Sequence, residues 1–240
     1  VTRRSVLKGA AATGAATAIG PWYIPNAFAA PVVNVLMWGE YLPDSVVADF
    51  KAKTGITVNH TKIGDNGEIN YSLAGVITDI QSTATDQGGD DEITITGGNN
   101  TVIAGFGNDE ITTGDGADDV IGDNGVIEYT DGAAVRLSTN DSEEATTGID
   151  TIIVSDGNNR VLAGLSGDSV TSTNGVDVVL SDNGELSYAN NILIKAVSSE
   201  TTLGGIDVLN LGDGDNVVIA GHADDSVAVG NDNDTVIGDN

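Results

Sequence analysis

Twelve Asp and Asn residues recur at a spacing of nine and carry oxygen atoms suited to holding cations. In a first block they are Asp91, Asn100, Asp109 and Asp118. The second block has Asp150, Asn159, Asp168 and Asp177, and the third has Asp207, Asn216, Asp225 and Asp234. Two residues before each lies a position that is Gly in nine of the twelve cases, including Gly89, Gly107 and Gly116; Ser166, Ala223 and Asp232 replace it in the others. Two residues after each comes Ile, Val or Leu. Glycine lets backbone carbonyls turn at φ values closed to other residues, and the nearby carboxylate adds charge. The pattern therefore offers one oxygen-rich turn per nine residues.

Turns so placed need strands between them. The Ile, Val and Leu positions supply these: short β segments whose aliphatic side chains stack into a narrow core. A longer period is superimposed. Asp-Asn-Gly begins at Asp65, Asp123 and Asp182, and a truncated copy begins at Asp239, at spacings of 58, 59 and 57 residues. This gives three modules over 65–240, with four-repeat blocks at 86–121, 145–180 and 202–237. Between the blocks, Tyr71, Tyr129 and Tyr188 share one phase. Alternating apolar residues there flank turns such as Thr130-Asp131-Gly132 and Ala189-Asn190-Asn191, which predicts β-hairpins. A period near 58 equals three coils of eighteen plus a few residues, so each module is expected to add a coil with a protruding hairpin.

The stretches Gly105-Phe106-Gly107-Asn108-Asp109-Glu110-Ile111 and Gly114-Asp115-Gly116-Ala117-Asp118-Asp119-Val120 resemble the hemolysin-type (RTX) calcium-binding nonapeptide, G-G-x-G-x-D-x-U-x with U a large aliphatic residue. The resemblance implies an all-β fold, a parallel β-roll or solenoid with two nonapeptides per turn. It also implies Ca2+ held between turns one full coil apart, pairing Asp91 with Asp109 and Asn100 with Asp118. Calcium, a hard cation taking six to eight oxygens at flexible distances, suits these ligands. The chain departs from the motif in two ways. The first Gly is absent from all twelve repeats, and the second remains only at Gly105, Gly114, Gly164, Gly212, Gly221 and Gly230. Weaker or empty sites are expected where the glycines are lost.

Charge separates the chain into two parts. Residues 1–63 carry six bases against three acids, and the remainder carries three bases against thirty-three acids, for a net −27 overall. Such a surface repels nucleic acid and anionic membranes and collects cations. Aromatic residues make up 4% of the chain, so the core must be thin and aliphatic, and the absence of cysteine excludes disulfides and thiolate metal sites. His60 and His222 are the only histidines and neither has a nucleophile at usable spacing. Walker, zinc and EF-hand patterns are missing as well. A non-enzymatic protein is expected.

The amino terminus carries an address. Thr2-Arg3-Arg4-Ser5-Val6-Leu7-Lys8, a mildly apolar Ala/Gly-rich stretch and Ala27-Phe28-Ala29 read as a twin-arginine signal with its cleavage site, over residues 1–30. Residues 9–20 are too short and too rich in Gly and Thr to span a bilayer. Export to the periplasm, cell surface or medium follows, with no membrane insertion after cleavage.

Residues 31–64 have another character. A strand from Val33 to Trp38, a helix begun by Pro43-Asp44-Ser45 and ended by Gly55, and a strand from Ile56 to Val58 resemble the first βαβ unit of polyamine-type periplasmic solute-binding proteins. Trp38, Glu40 and Tyr41 match positions near that family's cleft. The resemblance covers about a seventh of the chain and stops at Ile63-Gly64-Asp65-Asn66, a string that recurs at 121–124 and 237–240. The overall expectation is an exported calcium-binding stalk or spacer segment of a larger secreted or surface, adhesin-like protein. The alternative is a remnant of a solute-binding component of an ABC uptake system. A solenoid ending at Val236-Ile237-Gly238-Asp239-Asn240 leaves an apolar coil end open, which predicts end-to-end self-association.

Overall fold

The computed structural model describes residues 32–36, 50–55, 57–63, 67–142 and 147–239. The signal segment, Trp38, Glu40, Tyr41 and Asp65 lie outside them. Strands are numbered in chain order. Each nonapeptide ends in a short strand centred on its aliphatic residue. The odd-numbered repeats form one parallel sheet from β5 (Glu92–Thr94), β7 (Glu110–Thr112), β11 (Thr151–Ile153), β13 (Ser169–Thr171), β17 (Val208–Asn210) and β19 (Ser226–Ala228). The even-numbered repeats form a second from β6 (Thr101–Ile103), β8 (Asp119–Ile121), β12 (Arg160–Leu162), β14 (Val178–Leu180), β18 (Val217–Gly221) and β20 (Thr235–Asp239). Aliphatic residues align across the rungs: Ile93 opposes Ile111, Ile152 opposes Val170, and Val161 opposes Val120 and Val179. The chain is a parallel β-roll, as its repeats predict.

The two sheets face each other across a core that includes Ile93, Val102, Ile111, Val120, Val161 and Leu209. The same core explains the missing first glycine of the motif. That position is Ile95, Ala104, Val154, Ala163, Leu211 or Ala220 in six of the repeats, and all of these are buried in the core. In these repeats apolar contact replaces glycine's conformational freedom.

The inter-module segments form hairpins. They are β3 (Gly67–Tyr71) with β4 (Ile77–Ser82), β9 (Gly125–Thr130) with β10 (Ala133–Thr139), and β15 (Gly184–Ala189) with β16 (Ile192–Ser198). Asp131 and Gly132 close the second, and Asn190 and Asn191 the third, all at positive φ, as two-residue hairpin turns require. The hairpins leave the coil as expected but do not stand apart in solvent. They pair with one another into a six-stranded antiparallel sheet ordered β16-β15-β10-β9-β4-β3. That sheet lies on the outer face of the even-repeat sheet. There Ile80, Ile127, Leu137 and Leu186 pack against Ile103, Ile121, Leu162, Leu180 and Ile219. The even repeats carry an apolar residue directly after the U position, and successive strand residues face opposite ways. Strands β6, β8, β12, β14 and β18 of the even-repeat sheet are therefore buried on both faces, while β20 is exposed.

Each joint between modules is fastened by its Asp-Asn-Gly. The buried Asp123 carboxylate accepts the amides of Gly148 (3.1 Å) and Leu165 (2.8 Å), and Asp182 accepts that of His222 (2.5 Å). Asn124 and Asn183 both bond to Asp141, by its carboxylate and its carbonyl respectively. One charged contact also spans the layers. Arg160 pairs with Asp119 on the neighbouring strand, donates to the Ala134 carbonyl in the hairpin sheet, and lies 4.7 Å from the Tyr188 ring centroid.

At the amino-terminal end, β1 (Val32–Leu36) and β2 (Thr57–Ile63) are parallel, and a helical turn over residues 50–54 ends at Gly55 with φ +70°. Of the expected helix only residues 50–54 are described; residues 43–49 and the expected strand end at 37–38 lie outside the described residues, and the second strand, Thr57–Ile63, is longer than expected. β2 also pairs in parallel with β6 (Lys62 opposite Val102), so these strands continue the even-repeat sheet. Among the described residues no helix is long and apolar enough to cross a membrane.

The two-faced burial of the even repeats gives the first prediction. Leu162→Ala should cost about 2–5 kcal/mol in urea unfolding with calcium present. Asn210→Ala, at the equivalent but exposed position of the odd-repeat sheet, should change stability by no more than about 0.5 kcal/mol.

Candidate metal centre

The twelve Asp and Asn residues fall into two rows, one along each edge of the roll. Where consecutive coils stack, the backbone amide of one residue donates to the side-chain oxygen of the next in the row. The first row is all carboxylate. Asp91 donates to Asp109 (2.7 Å), Asp109 to Asp150 (2.8 Å), Asp150 to Asp168 (2.7 Å), Asp168 to Asp207 (2.7 Å) and Asp207 to Asp225 (3.0 Å). In the second row Asn and Asp alternate. Asn100 donates to Asp118 (2.8 Å), Asp118 to Asn159 (3.1 Å), Asn159 to Asp177 (2.8 Å), Asp177 to Asn216 (3.0 Å) and Asn216 to Asp234 (3.0 Å). The pairs within a module, Asp91 with Asp109 and Asn100 with Asp118, are those implied by the resemblance. The rows also run unbroken across the module joints, over sequence separations of 41 and 39 residues.

Glycine stacking brings the turns this close. A Cβ on Gly107 would strike the Gly89 carbonyl, and one on Gly157 would strike that of Gly116. Where the glycine is replaced, the chain still holds positive φ: Ser166 at 82°, Ala223 at 88° and Asp232 at 93°. This backbone region is unfavourable for residues with a Cβ.

The carboxylates are buried beyond what their hydrogen bonds satisfy. In Asp109, Asp150 and Asp168 one oxygen accepts an amide, and the other is buried with no hydrogen-bond partner. Burial pushes the Asp109 carboxyl up to about 8; the amide of Asp91 opposes this and the charges of Asp150 and Asp91 add to it. Burial likewise raises Asp150 and Asp207 to about 7, and raises Asp168 well above the ordinary range. Asp118 and Asp177 are also raised by burial, but their Asn neighbours favour the charged form, since Asn100 and Asn159 each donate a side-chain amide to them. The Asp-Asn-Gly carboxylates add to the first row: Asp123 is raised by burial and then by Asp150 and Asp168, and Asp182 by burial and then by Asp225. Sequence reasoning used Asp123 and Asp182 only to measure the module length. Their signal was the charge at the position where the motif has its second glycine.

Among the described residues no three His, Asp or Glu side chains gather as a self-sufficient metal cluster. An ion on these rows therefore needs backbone carbonyls in its shell. A hard cation with many oxygen ligands accepts such a set, and the partnerless buried carboxylate oxygens fit a divalent ion.

Residues 94–126, 144–179 and 201–236 match the family described as the RTX calcium-binding nonapeptide repeat (4 copies). The three blocks carry RTX repeats. Residues 1–20 match the TAT (twin-arginine translocation) pathway signal sequence, so the chain is directed across the cytoplasmic membrane. Comparison with curated proteins and with solved structures gives no match. The RTX matches cover the blocks that build the roll, and all twelve row positions except Asp91 lie inside them.

The raised carboxylates predict an inverted pH response without calcium. A carboxylate whose folded pKa lies above its unfolded value favours folding below the unfolded pKa, and this contribution is lost as pH rises through the folded value. With Asp109 near 8 and Asp150 and Asp207 near 7, the chelated protein should show more β structure by circular dichroism at pH 5 than at pH 8.5. An equal or opposite response would contradict the assigned burial.

Proposed function

We propose that the two rows are calcium sites and that this exported RTX-repeat protein is a non-enzymatic, calcium-stiffened spacer within a larger secreted or surface, adhesin-like protein. The observation that carries the reading is the set of buried, partnerless oxygens of Asp109, Asp150 and Asp168 beside stacked glycine carbonyls. Calcium bound there would neutralise like charges that burial otherwise forces together. Row one (Asp91, Asp109, Asp150, Asp168, Asp207, Asp225) offers two carboxylates between each pair of coils. Row two (Asn100, Asp118, Asn159, Asp177, Asn216, Asp234) offers one. Gly89, Gly107 and Gly116 supply carbonyls at the turns. Continuity of β2 with the roll supports a spacer rather than a separate solute-binding lobe.

Metal binding and folding are coupled when the site does not exist in the unfolded chain. Circular dichroism should therefore show a poorly ordered chain in chelator and a gain of β structure on adding calcium, with affinity on the order of 10⁻⁴ to 10⁻³ M. An unchanged, already folded spectrum in chelator would count against the reading. Calorimetry separates the rows. Asn100→Asp should tighten one site because ligand charge tunes calcium affinity, and Asp109→Ala should abolish the sites it shares. Equal affinities for native protein and Asn100→Asp would remove the row assignment.

A further inference from the structure

A trough of about 890 Å³ runs between the hairpin sheet and the row-two edge of the roll. This is within the volume range, roughly 300–1,000 Å³, of small-molecule and cofactor sites. One wall is the tyrosine row. Tyr71, Tyr129 and Tyr188 lie on β3, β9 and β15, two strands apart in the sheet, which spaces them about 10 Å from one another. Tyr129 and Tyr188 pack at the open end of the second core, and Tyr71 is 54% exposed. The opposite wall is the turn residue before each row-two ligand. Asn99 and Asn158 stand there, again two strands apart, alternating with Ala117 and Val176. Their carboxamide oxygens accept the amides of Ala117 and Val176, leaving the NH₂ groups as donors at the trough. The floor holds Thr101 and the Asp119–Arg160 pair. The Tyr188 hydroxyl is buried in the wall with no hydrogen-bond partner.

We propose that this trough binds an extended, uncharged β-1,4-linked glycan. Along the trough three tyrosines and two asparagines each recur at about 10 Å, a length comparable to the two-sugar repeat of such a chain. Tyr71 offers an exposed apolar face to sugar C–H groups and a polar tip, while Arg160 lies against the Tyr188 ring and Thr101 holds the Tyr129 hydroxyl; the carboxamide donors match sugar hydroxyls. The ligand should be uncharged because the floor is neutral, Asp119 offsetting Arg160, while the chain as a whole carries −27 and repels anions. An extended peptide would need a free strand edge for its backbone, whereas side chains of the roll and the hairpin ends line this trough.

The test uses the full chain in saturating calcium, titrated calorimetrically with cellohexaose, chitohexaose and the acidic hexagalacturonate. One of the two neutral hexasaccharides should bind at millimolar or tighter affinity, and hexagalacturonate should not. Tyr71→Ala and Asn158→Ala should each weaken binding tenfold or more, with the calcium-induced circular dichroism change unaltered. The proposal fails if neither neutral sugar binds, if both variants bind as well as native protein, or if the acidic sugar binds more tightly. The dichroism change in the same samples reports separately on calcium binding, so loss of one reading does not imply loss of the other.

Discussion

The fold depends on like-charged carboxylates buried in a stack. Each turn of the first row places an Asp one coil from the next, and hydrogen bonding satisfies one oxygen of each by the neighbouring amide. In Asp109, Asp150 and Asp168 the second oxygen is left buried without a partner. Burying an unpaired charge is costly enough that a group normally takes up a proton or a cation instead. This also accounts for a compact roll in a chain with a net charge of −27. Most of the acids outside the rows lie on the surface, where water screens them. Those in the rows cannot be screened and need a counter-charge placed between coils.

The two rows meet this demand differently. In the second row each Asn donates its side-chain amide to the Asp one coil on: Asn100 to Asp118, Asn159 to Asp177 and Asn216 to Asp234, at 2.9–3.1 Å. The neutral donor adds a second hydrogen bond to the oxygen that already accepts the backbone amide, while the other oxygen of Asp118 and Asp177 stays buried without a partner, as in the first row. The first row has no such donor. If cations bind between coils, the edge with Asp alone, which offers two carboxylates per site, should respond more strongly to them than the edge with Asn.

Much of the roll is legible in the sequence because position within the nonapeptide maps directly onto space. Asp, Gly and the aliphatic residue fall at fixed points of a coil, so the rows and the first core follow from phase alone. The third layer was harder to read. Its signal lies one residue past the U position, where even repeats carry Ile103, Ile121, Leu162, Leu180 and Ile219 and the corresponding odd repeats carry Thr94, Thr112, Thr171, Asn210 and Ala228. Only the exposed Ile153 breaks the contrast. A period of eighteen rather than nine was needed to see it. The clamps formed by Asp123 and Asp182 were hidden for another reason: they bond to backbone amides 25 and 40 residues away, and backbone amides leave no mark in sequence.

The central claim is that divalent cations sit between coils at the partnerless oxygens of the first row. Anomalous diffraction from crystals of the chain grown in calcium, or exchanged with a lanthanide, tests it most directly. The account predicts density peaks between coils beside Asp109, Asp150 and Asp168, within coordinating distance of their second carboxylate oxygens and of turn carbonyls. Strong ordered density for these carboxylates with no peak beside them, in a crystal saturated with the ion, would contradict it.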